Sequence, residues 1–93
     1  MVEAREIRLK RLYMRSIRRG IKEMDLVLGH FAATRLADLE DLDLYEALLA
    51  ENDHDIHNWL TKAAPAPAQY LALLAQIEAE AEALKGAWIK SRS

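Results

Sequence analysis

The stretch Arg15-Ser16-Ile17-Arg18-Arg19-Gly20-Ile21-Lys22-Glu23-Met24-Asp25-Leu26-Val27-Leu28 decides the fold, because one helical pattern ends in it and another begins. Upstream, Leu9, Leu12, Tyr13 and Ile17 recur at helical spacing with arginines between them, so residues 4–18 read as an amphipathic helix. Downstream, Ile21, Met24, Leu28 and Phe31, with Val27 beside them, form a second stripe and predict a helix over about 21–34. Gly20 separates the two. The helices should meet at a short corner around Arg19 and Gly20.

The rest of the chain repeats the pattern. A third helix is expected to begin near Asp38, whose carboxylate would cap the first turn, and to carry Leu42, Tyr45, Leu48 and Leu49. Asn52 and Asp53 supply a break and a new cap. Ile56, Trp59 and Leu60 then mark a short fourth helix within 53–62, closed off by Pro65 and Pro67. The spacing of Tyr70, Leu73, Leu74, Ile77, Ala81, Leu84 and Trp88 predicts a long last helix over about 67–88, with a frayed end after it. No segment alternates with period two. The expected fold is all-α, a compact five-helix bundle forming one domain over 1–93 with its core at about 5–88.

Composition limits what such a bundle does. With 93 residues and 52% hydrophobic content it has one core and little interior for enclosing a substrate. Cysteine is absent, which removes disulfides, thiolate metal sites and cysteine nucleophiles. The apolar runs fall far short of the roughly 20 residues that span a bilayer, so no membrane insertion is expected. Glu3 and Glu6 and the lack of an apolar segment argue against a leader peptide, and the expected setting is the bacterial cytoplasm.

Charge is segregated along the chain. Residues 1–22 hold eight Lys/Arg against two acids, a net +6, whereas residues 23–58 hold ten acids against Arg35, a net -9. Such a split fits either nucleic-acid contact or a basic helix packed beside acidic ones. Glu23 and Asp25 near the start of the second helix would repel phosphates, which disfavours a DNA-reading helix pair. No nucleic acid is expected as partner.

Enzyme motifs are missing from the sequence: it has no phosphate-cradling glycine loop, no nucleophile elbow and no HExxH helix. His54 and His57, with Asp53 and Asp55 nearby, share a helix face, but two histidines without a firm third ligand make a poor zinc site. Those acids serve better as caps and first-turn charges, so no metal is expected. Trp59 reads as core. At the corner, Gly20 permits positive φ and close approach of another backbone. Arg19 and Glu23, four residues apart, would form an ion pair or present a donor and an acceptor outward. The local alternative is a helix stop with solvated charges.

The wider pattern points further. The run Arg15 to Ala32, followed by Tyr45-Glu46-Ala47-Leu48-Leu49, Asp53-His54-Asp55-Ile56-His57-Asn58-Trp59-Leu60 and Ala64-Pro65-Ala66-Pro67, closely resembles the FAD assembly factor family of succinate dehydrogenase, the SdhE family in bacteria. The resemblance covers nearly the whole chain in order. Its hallmark Arg-Gly-x-x-Glu maps onto Arg19, Gly20 and Glu23. His54 stands where many members carry another residue. The resemblance implies a five-helix bundle that binds the flavoprotein subunit of succinate dehydrogenase, and often of fumarate reductase, and promotes covalent attachment of FAD to a histidine there. Some members are labelled antitoxin-like, the competing reading.

On this reading the factor is not an enzyme and holds no cofactor tightly, the FAD being handled by the client flavoprotein. Partner-binding residues would be Arg19, Gly20 and Glu23 with Arg15, Arg18 and Asp25 around them.

Overall fold

The computed structural model describes the backbone of residues 3–92 and the side chains of residues 3–83. Five helices follow one another: α1 (Arg5–Ile17), α2 (Lys22–Arg35), α3 (Leu42–Leu49), α4 (Asp53–Leu60) and α5 (Leu71–Arg92). A short 3-10 turn at Leu36–Asp38 leads out of α2, and another at Ala68–Tyr70 leads into α5. No strand occurs among the described residues. None of the described helices is long and apolar enough to cross a membrane. Of the apolar positions expected in the last helix, Leu84 and Trp88 lie outside the described side chains, as does the end expected to fray.

Local chemistry sets the helix starts. Asp41, not Asp38, caps α3: its carboxylate accepts from the amide of Leu44 at 2.9 Å. Asp38 closes the 3-10 turn instead, because Leu36 is drawn into the core at 2% exposure and the chain needs Leu39 to Asp41 to climb back out. Asn52 caps α4 as expected, accepting from the His54 amide at 2.8 Å. The last helix begins later than its apolar spacing suggests. Pro67 has no N–H to offer a helix and opens the 3-10 turn, so α5 proper starts at Leu71.

The core joins all five helices. Leu12 from α1, Met24, Leu28 and Phe31 from α2, Leu42, Tyr45 and Leu48 from α3, Ile56 from α4, and Leu73, Leu74 and Ile77 from α5 are buried together. Burying each such side chain is worth about 1.5 to 3 kcal/mol before ordering costs. Trp59 is half-buried, packed on the core edge and stacked on Tyr70 with ring centroids 5.8 Å apart.

Close packing of α1 on α2 depends on Gly29, where a Cβ would stand 2.8 Å from Cγ2 of Ile17. One polar pair lies wholly inside. Ser16 Oγ donates to the Leu12 carbonyl at 2.8 Å, so in its 2.6 Å contact with Tyr45 the tyrosine hydroxyl is the donor. Burial pushes the Tyr45 phenol up to about 12, against the opposing effect of Ser16.

Candidate functional site at the corner between α1 and α2

The helix α1 ends because Arg18 leaves helical conformation at φ -124 and Gly20 turns the chain at φ +90. Ile21 is extended at φ -113, ψ 116, and its carbonyl accepts from the Asp25 amide at 2.9 Å to open the first turn of α2. Gly20 is exposed, and a Cβ built on it would meet nothing within 4 Å. The glycine is therefore required by backbone conformation and leaves an open face beside it.

Arg19 turns inward. Its guanidinium donates from Nε to Asp53 Oδ1 at 2.6 Å, to the Glu51 carbonyl at 2.9 Å, and to the Leu49 carbonyl. Only 9% of its side chain is exposed. Leu49 ends α3 and Asp53 starts α4, so one planar fork ties the corner to the α3–α4 junction. The backbone amide of Arg19 donates in turn to Asp25 Oδ1. An Arg19–Glu23 ion pair does not form among the described contacts. The junction offers Arg19 three fixed acceptors, whereas Glu23 points to water with 80% of its side chain exposed and has only His57 Nε2 at 3.4 Å for company.

Charge segregation resolves as packing between helices. Arg8, Arg11 and Arg15 on one face of α1 converge on Glu46 of α3, at 3.1, 3.0 and 3.8 Å, and Arg8 also reaches Asp43. Arg11 grips Glu3 as well, at 2.8 Å. Hydrogen bonding from Arg11, with Arg8 assisting, holds the Glu46 carboxyl below the usual carboxylate range against partial desolvation. One carboxylate thus serves three guanidinium groups.

Arg15 and Arg18 face outward beside Arg19, and with Arg11 and Met14 they line a shallow depression on α1. Exposed apolar groups flank the corner on both sides: Met14 on α1 and, three residues past Glu23 on the same side of α2, Leu26 at 60% exposure. Neither apolar residue was marked by periodicity, because each sits off its helix's buried stripe. Of the six residues singled out in the sequence, Gly20, Glu23, Arg15 and Arg18 present themselves to solvent or half so, whereas Arg19 and Asp25 hold the corner's shape. Across α4, His57 is aimed at Glu23, and no group of three or more metal-ligating side chains gathers among the described residues.

A family model described as flavinator of succinate dehydrogenase matches residues 10–81, which include the corner, Arg11 and Arg15 of the arginine face, and the Trp59–Tyr70 stack. The chain belongs to the flavinator of succinate dehydrogenase family. It is 43% identical over 70 residues to a protein of Mycosarcoma maydis named succinate dehydrogenase assembly factor 2, mitochondrial, covering 73% of this chain and 29% of that one. A relative of the same name in Meyerozyma guilliermondii is 48% identical over 62 residues, covering 64% of this chain and 46% of the other. The factor 2-A of Drosophila persimilis is 40% identical over 72 residues, covering 73% and 45%.

The chain spans less than half the length of these relatives. Their names place them in the mitochondria of fungi and flies, which overturns the expectation of a bacterial cytoplasmic protein. Composition has no bearing on that point: a chain without cysteine suits either compartment.

Proposed function

We propose that the chain is an assembly factor that docks on the flavoprotein subunit of succinate dehydrogenase and promotes covalent attachment of FAD to a histidine of that subunit. The observation that carries this reading is Gly20: a left-handed backbone at φ +90, with open space where a side chain would stand, set between outward Arg18 and outward Glu23. A partner's main chain can approach there as it cannot beside a Cβ. Membership of a family described as flavinator of succinate dehydrogenase supports that client.

The factor is no enzyme in this mechanism and holds no FAD tightly. Covalent flavinylation requires the flavin ring and the acceptor histidine in near-attack geometry, with charge developing on the flavin stabilised nearby, and the flavoprotein supplies both. A docked factor raises the rate by binding the competent arrangement of the flavoprotein more tightly than the others, which shifts its population. Every 1.4 kcal/mol or so of such preference is about tenfold in population. Glu23 and Gly20 make the contact, Met14 and Leu26 supply apolar area next to it, and Arg19 and Asp25 keep the corner in shape. The flavoprotein subunit of fumarate reductase is a second client to test.

The experiment is a capture from lysate on the immobilised chain, followed by in-gel flavin fluorescence of the captured subunit after denaturation. A flavoprotein subunit whose covalent flavin rises with added factor is the expected result. Capture of no flavoprotein, or a covalent flavin yield indifferent to the factor, overturns the reading.

A further inference from the structure

We infer that the depression on α1 lined by Arg11, Met14, Arg15 and Arg18 receives a short acidic segment of the client, and this rests on the docking proposed above. The floor of the depression is Arg19, each of whose guanidinium nitrogens donates inward, to Asp53 and two carbonyls. The walls are less satisfied. Arg11 is held by Glu3 and Glu46, Arg15 has only the far edge of the same Glu46 at 3.8 Å, and Arg18 makes no ion pair among the described residues. A guanidinium carries five N–H donors, so Arg15 and Arg18 have most of theirs unspent and directed at solvent.

The dimensions and surroundings select the occupant. From Arg11 to Arg18 the helix rises about 10 Å, room for three or four residues of extended chain. Met14 lies in the same depression at 37% exposure, so a ligand with one apolar side chain among its carboxylates fits better than a uniform polyanion. A nucleic-acid strand continuing past Arg18 would meet Glu23, Asp25 and Asp53, carboxylates spaced around the corner. Arg18 and Arg19, which line one end of the depression, immediately precede Gly20 in the chain, so a client segment seated there lies close to the open face of the glycine.

The test uses the full chain with Arg15→Glu and Arg18→Glu introduced together, and with Glu23→Ala separately, each titrated against the client flavoprotein subunit at several salt concentrations. A fluorescent peptide of four residues, three acidic and one leucine, is titrated against the same proteins, with inorganic pyrophosphate and a DNA duplex as competitors. The double variant should lose at least tenfold in affinity for the subunit, flatten the salt dependence, and no longer bind the peptide, while it stays folded by circular dichroism and its melting temperature falls by only a few degrees for the lost Arg15–Glu46 contact. Arg18→Lys should retain part of the affinity, since the charge is kept and the fork lost.

Equal binding and equal salt dependence of the double variant, alongside lost binding by Glu23→Ala, overturns the acidic-segment inference and leaves the docking reading standing. Failure of the wild-type chain to bind the subunit overturns that reading instead. Displacement of the peptide by pyrophosphate or by DNA at lower concentration than by the subunit overturns the assignment of a peptide occupant.

Discussion

Nε of Arg19 donates to Oδ1 of Asp53 at 2.6 Å, joining the end of α1 to the start of α4 across 34 residues of chain. The contact makes the arginine of the hallmark motif a positioning residue. Its fork closes on Leu49, Glu51 and Asp53, all belonging to the junction between α3 and α4, and its own amide is fixed by Asp25. The turn that Gly20 completes is thereby held against three other helices.

Arg19→Ala should therefore cost stability before it costs recognition. Removing one partner of a largely buried ion pair leaves Asp53 and two carbonyls without their donor, a loss of about 3 kcal/mol. In a domain of this size that lowers the melting temperature by roughly 10 to 20 °C. Arg19→Lys should recover little, because an ammonium lacks the planar fork whose three nitrogens each meet a separate acceptor. Thermal melts by circular dichroism decide it, and a wild-type melt for Arg19→Ala would return the arginine to the outward-facing role.

Gly20 separates strain from recognition. Gly20→Ala places a Cβ in the left-handed region at φ +90 without striking any neighbour, a cost of about 1 to 2 kcal/mol. Gly20→Arg has the same backbone cost and fills the open face as well. Both variants should melt at similar temperatures, while capture of the flavoprotein subunit is weakened by the alanine's Cβ and abolished by the arginine. A far lower melt for Gly20→Arg than for Gly20→Ala would show that the side chain meets something within the chain itself.

How far the sequence went is visible in single residues. The five helices, the Asn52 cap and the corner at Gly20 were legible because period 3.6 and cap chemistry are local. Asp38 read as the cap of the third helix, but Asp41 takes that role, because the burial of Leu36 delays the helix start. Arg19 read as pairing with Glu23 or facing outward for a similar reason, since its acceptors lie 30 to 34 residues away. The stripe Arg8, Arg11 and Arg15 was readable as one helix face, but the carboxylate that gathers it, Glu46, was not.

Glu23→Ala should do the opposite of Arg19→Ala. The carboxylate is 80% exposed and its contact with His57 is a surface pair, worth at most about 1 kcal/mol. Its melt should stay within a few degrees of wild type. As an interface anchor it should cost about 2 kcal/mol or more of binding, some thirtyfold in affinity. Titration against the flavoprotein subunit with covalent flavin scored in parallel checks both, and wild-type affinity would reduce Glu23 to a solvated charge.

Tyr45 sets the alkaline limit of the fold. Its phenol is pushed up to about 12 by burial, so the native state holds this proton more tightly than the unfolded chain, where a tyrosine ionises near 10. The contribution is complete below pH 10 and is lost as pH rises from there towards 12, amounting to about 2 to 3 kcal/mol. Tyr45→Phe removes the ionisable group and the hydrogen bond to Ser16, while Ser16 keeps its own bond to the Leu12 carbonyl. At pH 7 the variant should be about 1 kcal/mol less stable. Between pH 10 and 11 the wild type should lose stability faster and approach or cross below it. A residual slope is expected in both, because desolvation also raises the Tyr70 phenol, and its hydrogen bond to Glu51 at 2.9 Å adds to the rise. Denaturant melts at pH 7, 9, 10 and 11 measure the difference, and parallel slopes for the two proteins above pH 10 would show that the buried phenol does not govern alkaline unfolding.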